Sequence, residues 1–281
     1  NDVAEWLTCA ECHGERPHGD YDPRNGDSRD AHATRVACQT CHIPTFAKDV
    51  DTEMARDWRT PIWWAGAFGG QGGWKPGETR AADVVPVYRW FDGTSEVYVL
   101  GQSPALNAAG EYEFGAPLGS VSSPGAKLYP MKEHRSVTAR LNSTGQMIPH
   151  STEVYFRTGD FTQAIAEGMT RAGMSGAYTI VPVHTFQTIN HGVEPADNAL
   201  GCAECHADSG GDDRAAAPRM DLAGELGYAL KGPQATVCAQ CHEPEDPEGF
   251  GEMHDKHVAE EGYDCSWCHT FSRPERGLDR P

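Results

Sequence analysis

The sequence lacks any run of 18 or more consecutive apolar residues, and hydrophobic residues fill only 38% of its 281 positions. The first absence excludes a membrane-spanning helix, which needs about 20 predominantly apolar residues. The low hydrophobic share, together with 31 glycines and 19 prolines, predicts a thin side-chain core. Large apolar cofactors would compensate for that deficit, because side chains can pack around them.

Positive charge is also scarce. Lysine and arginine total 23 against 41 acidic residues, the formal net charge is −18, and only 6 of the basic residues are lysine. An acidic surface repels nucleic acids and anionic membrane faces. We therefore expect no nucleic-acid partner and no membrane span.

No cysteine stands outside a pair. The ten cysteines form five Cys-x-x-Cys pairs, and a histidine follows each pair at once. The five motifs are Cys9, Cys12 and His13; Cys38, Cys41 and His42; Cys202, Cys205 and His206; Cys238, Cys241 and His242; Cys265, Cys268 and His269. Cys-x-x-Cys-His is the signal for c-type haem attachment. Structural zinc needs four ligands, and five pairs do not divide into such sites.

The sequence therefore predicts five covalently bound haem c (heme c) groups. Each motif histidine is the expected proximal iron ligand. Eight other histidines remain for the opposite faces of the irons. The distal candidates lie close to motifs or in the resemblance below: His18, His32, His134, His191, His254 and His257. His150 and His184 are further alternatives, and methionine ligation, which raises the potential, is not expected.

The predicted cofactors also indicate a compartment and partners. Haem attachment to paired thiols takes place outside the cytoplasm, and no secretory signal is visible in the sequence. We expect a signal removed before Asn1 and a periplasmic or extracellular location. Redox proteins or extracellular electron acceptors are the expected partners. The first and last motifs lie near the ends of the sequence, where partly bare haems would favour head-to-tail self-association.

The motifs divide the chain into three segments. Residues 1–46 hold two motifs, 47–189 form a haem-free insert that sheathes the haems, and 190–281 hold three motifs. We expect one co-folded unit of a multihaem cytochrome c: mostly irregular and loop-rich, with short helices and a small β-hairpin around packed haems. The hairpin is predicted at 84–100, around the turn pair Asp92-Gly93.

Two further segments of the insert carry predictions. Residues 160–172 are predicted to be a helix, because a capping Asp precedes apolar residues at helical spacing. Residues 58–77 combine four tryptophans with many glycines. This composition predicts an irregular segment whose rings either line haem faces or form ordinary aromatic core.

Several phrases of the chain resemble the octahaem tetrathionate reductase family of multihaem cytochromes. They are HATRVACQTCHIPTFAKDVDTEMARDWRT from 32, VVPVYRWFDGT at 84–94, LYPMKEHR at 128–135 and INHGVEPADNALGCAECH at 189–206. The resemblance implies closely packed, mostly bis-histidine haems, with His191 as a haem ligand. It also puts Lys132 where the family has the lysine of its catalytic haem. The chain has five motifs, whereas the family has eight haems.

Two functions remain open at this point. The first is electron transfer through a chain of bis-histidine haems, with an extracellular conductive filament (a nanowire) as its sharper form. The alternative is a multihaem reductase of sulfur or nitrogen oxyanions, with one iron open or bound by Lys132. Because the net charge repels oxyanions, that alternative needs a local basic cluster such as Lys132, Arg135 and Arg140.

Overall fold

The structure, a computed structural model, describes most of the chain between the second and third motifs. The described residues are 8–14, 16–18, 30, 32–201, 203–206, 219–222, 225–227, 229–230, 255–260 and 269–270. The fourth motif, the two cysteines of the fifth, Cys202 and His254 lie outside these ranges. No helix within them is long and apolar enough to cross a membrane.

A mixed sheet of eight strands forms the body of the described chain. Its strands are β1 Thr52–Trp64, β2 Gly73–Ala81, β3 Val87–Phe91, β4 Ser95–Val97, β5 Tyr112–Pro117, β6 Lys127–Leu141, β7 Met147–Ile148 and β8 Tyr178–Thr188. The central path runs β2-β1-β6-β8-β5-β4. The prediction of a mostly irregular fold with one small hairpin is therefore wrong. Polar side chains such as His134 and Arg135 pair across these strands, and they hide the alternation that marks a strand.

β6 organises the sheet because both of its edges are occupied. One edge pairs with β8 over eleven residues, from Met131 to Leu141. The other edge meets three partners in turn: β3 antiparallel, β1 parallel and β7 antiparallel. Every element of the sheet is thus held by β6 directly or through one or two neighbours.

The tryptophan-rich segment is regular rather than irregular. β1 and β2 form an antiparallel hairpin in which Trp63 lies opposite Trp74. Pro61 has no backbone N–H to donate to a neighbouring strand. It is tolerated because it follows an irregularity of the register and only β2 lies beside it, so no hydrogen bond to a second strand is lost. The connection Ala67–Gly70, numbered α3 because two motif helices precede it, is a tight turn in which Phe68 and Gly69 have left-handed φ values of 49° and 69°. Trp63 and Trp64 are more than half exposed at the tip of this hairpin.

The hairpin predicted at 84–100 is also wrong, although its turn exists. Asp92 accepts a bond from the Thr94 amide at 2.9 Å, and Gly93 has φ 94°. The flanking strands nevertheless pair elsewhere, β3 with β6 and β4 with β5. The longer partners provide more ladder bonds and more burial than the two short strands would provide for each other.

Two capped helices cover one end of the sheet. α4, Thr152–Thr158, begins after Ser151, whose hydroxyl accepts from the Val154 amide. α5, Phe161–Arg171, begins after Asp160, which confirms the helix predicted at 160–172. Together with the strands they enclose the largest apolar cluster: Trp58, Ala139, Leu141, Ile148, Tyr155, Phe161, Ala164 and Ile165.

The remaining elements are short. The motif helices are α1 Cys9–His13, α2 Cys38–His42 and α6 Ala203–His206. A 3₁₀ turn at Ala196–Asn198 precedes α6, and a π-helix spans Asp255–Glu260. The strands β9 Ala229–Leu230 and β10 His269–Thr270 pair with each other.

Candidate functional site

Each described Cys-x-x-Cys-His motif forms a short helix. On a helix, residues three apart lie on one face, so the two thiols of a motif point the same way and the histidine follows beside them. Thr40 anchors the second motif to the sheet. It is fully buried, and its hydroxyl donates a hydrogen bond to the Leu128 carbonyl at 2.8 Å. The same carbonyl accepts from the Ala37 amide at 2.9 Å. The motif is thereby fixed to the first residues of β6.

The first two motifs meet at their leading cysteines. Desolvation by the surrounding chain, and next the neighbouring Cys9 thiol, raise the pKa of the Cys38 thiol. The sulfurs of two different motifs are therefore adjacent in space although they are far apart in sequence.

The third motif joins the second through its preceding segment. The Leu200 amide donates to the Cys41 carbonyl at 2.9 Å, and the Glu194 amide donates to the His42 carbonyl at 2.8 Å. Cys205 packs on the apolar cluster around Tyr88 and Leu128. Three motifs from distant parts of the sequence thus converge at the β3 end of β6.

Tyr88 lies between the second and third motifs. It is 3% exposed. Burial, followed by the nearby Cys205 thiol, raises the pKa of its hydroxyl to about 12. The hydroxyl therefore stays protonated near neutral pH and can donate a hydrogen bond among the motif cysteines.

One distal candidate, His18, lies beside a motif histidine, His42, and the two rings would be able to hold one iron between them. The rings of His18 and His42 have centroids 6.1 Å apart and planes 13° from parallel. Two metal–imidazole bonds of about 2 Å, one on each side of an ion, give a centroid separation on the order of 6 Å. The residues therefore fit an iron between a distal His18 and a proximal His42.

A carboxylate orients the distal ring. The Nδ1 atom of His18 lies 2.8 Å from Oδ1 of Asp30, a carboxylate that is 9% exposed. Iron-ligating histidines commonly donate their second ring N–H to such a group, which fixes the tautomer and the ring orientation. Here it leaves Nε2 of His18 available for the metal. Asp30 carries no spacing signal in the sequence, and sequence reasoning missed it.

The other distal candidates lie in varied surroundings. His134 on β6 contacts Oε1 of Glu53 at 2.9 Å, and Arg56 holds the same carboxylate at 2.7 Å. The His32 carbonyl accepts from the Arg35 amide at 2.8 Å, just before the second motif. His191 is exposed on the segment that leads to the third motif, and His257 lies in the π-helix. One ring contact among the described residues, that of His18 with His42, brings a distal candidate to a motif histidine.

The two further alternatives contact protein groups rather than a motif. His150 packs edge-on against Trp58, with ring centroids 4.4 Å apart, and burial lowers its pKa to about 4. His184 is held among glutamates of the sheet.

Lys132 lies in the middle of β6. Its Nζ donates to Thr52 Oγ1 at 2.8 Å, and burial lowers the pKa of the amine.

Comparisons with known proteins agree with these observations. Residues 74–209 match the family model described as "Cytochrome c bacterial". The fold matches a crystal structure of octaheme cytochrome c from Shewanella oneidensis, with a TM-score of 0.62 and 27% sequence identity over 87% of this chain. The chain spans 54% of the length of that protein. No curated protein sequence matches significantly.

These matches and the five motifs support one class, the c-type cytochromes. Within that class they support a multihaem cytochrome, similar in fold to the octahaem protein over about half of its length. The class has a redox or electron-transfer role.

Proposed function

We propose that this chain is an electron-transfer protein that carries five haem c groups, most of them ligated by histidine on both faces. The proposal rests on the convergence of the three described motifs, in which Cys9 adjoins Cys38 and the Cys41 carbonyl holds the segment before the third motif. Haem c supplies reversible one-electron chemistry at its iron. The chain's own residues supply attachment, axial imidazoles and an apolar sheath that tunes potential.

Magnetic coupling between the first two haems tests this proposal. Neighbouring oxidised irons broaden each other's paramagnetic resonance signals, and the adjacent thiols predict such coupling. A variant that lacks the first motif (Cys9→Ser, Cys12→Ser and His13→Gln) should sharpen the signal of the second haem. The matched control removes the fourth motif (Cys238→Ser, Cys241→Ser and His242→Gln) and should leave the coupling intact. Equal spectra from wild type and the first variant would count against a packed relay.

We further propose that copies associate head to tail into a filament, outside the cytoplasm. The first motif is exposed at all three of its haem-attaching residues, Cys9, Cys12 and His13. A porphyrin attached there would add a large apolar surface, which favours an interface. A heterologous interface that closes no ring propagates as a filament. Electron microscopy of native material tests this idea, and a monomer at high concentration with five six-coordinate irons would refute it.

An oxyanion reductase is the second candidate, and Lys132 favours it. A lysine whose pKa is lowered by burial is less costly to deprotonate, and only a neutral amine can bind iron. Lys132→Ala should create a high-spin iron under this alternative. Under the electron-transfer proposal the same variant keeps every iron low-spin, so one spectrum separates the two functions.

A further inference from the structure

A buried histidine and three glutamates meet where β5, β6 and β8 lie side by side. His184 on β8 pairs with Glu113 on β5 and with Arg135 on β6. Side chains of paired residues share a face, and so do those two positions further along each strand. Glu111 and Glu133 therefore join the same face. The side chain of His184 is 3% exposed, and those of Glu111 and Glu133 are 16% and 13% exposed.

The ring of His184 has different partners at its two nitrogens. Nε2 makes a hydrogen bond of 3.2 Å with Oε1 of Glu113. Because a carboxylate accepts, this bond puts a proton on Nε2. Nδ1 is buried and has no hydrogen-bond partner, yet it faces Glu111 Oε2 at 3.3 Å and Glu133 Oε1 at 3.5 Å. In the neutral ring, Nδ1 carries a lone pair that points at these two carboxylate oxygens. The lone pair and the oxygens repel one another unless a cation lies between them.

The spacing of these three atoms fits a small divalent ion. Zinc binds imidazole nitrogen and carboxylate oxygen at about 2.0–2.2 Å, and a tetrahedral site then has neighbouring ligand atoms roughly 3.3–3.6 Å apart. Both separations from Nδ1 fall in that range. Ligand atoms of Glu111, Glu133 and His184 all lie within 4.8 Å of one another.

The surrounding groups match the outer shell of a metal site. Glu113 orients the histidine as a carboxylate commonly does behind a metal-bound imidazole. Arg135 donates from Nε to Glu111 Oε1 at 3.1 Å and lies 2.8 Å, through Nη2, from Glu133 Oε1. The guanidinium thus holds both carboxylates in place and leaves Oε2 of Glu111 for an ion.

Charge favours the same assignment. The carboxylates of Glu111, Glu113 and Glu133 carry three negative charges, and Arg135 offsets one of them. Two negative charges therefore remain beside the neutral imidazole. A divalent ion neutralises them, whereas a doubly protonated His184 leaves one negative charge uncompensated in a largely buried site, which is costly. We propose that Glu111, Glu133 and His184 bind a divalent transition-metal ion such as zinc, separate from the haem irons, with Glu113 and Arg135 as positioning residues.

The proposed ion would strengthen a weak junction of the sheet. β5 pairs with β8 through three residue pairs with an irregular register, and β4 reaches the sheet only through β5. A metal held by Glu111, which immediately precedes β5, and by Glu133 on β6 and His184 on β8 would fasten this edge to the centre of the sheet.

Metal analysis of the holoprotein tests the proposal. Protein equilibrated with Zn²⁺ and then desalted should retain one zinc per chain more than His184→Asn or Glu111→Gln retains, with iron content as the check on haem loading. Glu113→Gln should bind zinc about 10- to 100-fold more weakly, as outer-shell changes do. Glu96→Gln, an exposed carboxylate change on β4, should bind as wild type does.

A second measurement guards against variants that misfold. Zinc should raise the unfolding temperature of wild type and of Glu96→Gln but not that of Glu111→Gln. Equal zinc retention in wild type and Glu111→Gln, or no thermal shift in wild type, would overturn the proposal and leave His184 as a protonated partner of the glutamates.

Discussion

The ring centroids of His18 and His42 lie 6.1 Å apart with planes 13° from parallel, and the Nδ1 atom of His18 lies 2.8 Å from Oδ1 of Asp30. This arrangement joins a residue near the first motif to the proximal histidine of the second. Under the proposed function, His18 would be the distal ligand of the second haem, a pairing that spacing along the chain does not give.

The pair leads to a first prediction. His18→Ala should remove one axial imidazole and convert one of the five irons to a high-spin form that binds carbon monoxide. Asp30→Asn should keep that iron low-spin but raise its potential, because a neutral amide makes the ring a weaker donor. Asp92→Asn, a change at an exposed turn, is the control. An unchanged spectrum of His18→Ala would show that another residue ligates this iron.

The second prediction concerns the anchor of the second motif. Thr40→Val replaces a hydroxyl by a methyl group and leaves the buried Leu128 carbonyl with one partner fewer. Because the Ala37 amide still donates to that carbonyl, the expected loss is that of one hydrogen bond, about 0.5–1.5 kcal/mol of stability, seen as a lower unfolding temperature. Thr162→Val, on the exposed face of α5, should change stability little. Equal stability of the two variants would mean that the Thr40 bond does not anchor the motif.

The third prediction concerns acid. The pKa of His150 is lowered to about 4 in the folded chain, chiefly by burial and next by Arg56, against 6.5 for the free group. Between pH 6.5 and pH 4, His150 is therefore protonated in the unfolded chain but not in the folded chain. The free energy of unfolding falls as pH drops from about 6.5 to 4. The full effect is about 3 kcal/mol.

His150→Leu isolates this effect. Its unfolding temperature should fall less than that of wild type between pH 7 and pH 4, because the leucine takes up no proton. Equal acid sensitivity in the two proteins would contradict the assignment, since the carboxylates that contribute to acid unfolding are common to both.

The fourth prediction is the cofactor count. Intact-protein mass should exceed the polypeptide by five haems, and alkylating reagents should find no free thiol in the holoprotein. Four haems or fewer, or reactive cysteines, would contradict the assignment of one haem to each motif.

Sequence reasoning succeeded where one residue type at fixed spacing carries the chemistry. Paired thiols followed by histidine identify haem attachment without any fold. The helix at 161–171 was predictable because Asp160 caps it and its apolar residues keep helical spacing. The position of Asp30 was not predictable, since its contact with His18 depends on the fold and not on the twelve-residue spacing along the chain.

The sheet was missed for a physical reason. β6 carries Lys132, Glu133, His134 and Arg135 in succession, a run that obscures alternating burial. Their side chains are paired with groups of neighbouring segments, such as Glu53 for His134 and Glu111 for Arg135. Such pairing exists only in the folded chain, so it leaves no trace in the local pattern.

The eight-stranded sheet contains no cysteine, whereas the three described motifs gather near the β3 end of β6. If the proposed function holds, the sheet acts as an insulator on one side of the cofactors. Electrons of these three haems would enter and leave where their porphyrin edges reach the surface, and the sheet would lie between them and a redox partner that docked on the far strands. For the haems of the three described motifs, the fold would thereby give a conducting side and an insulated side.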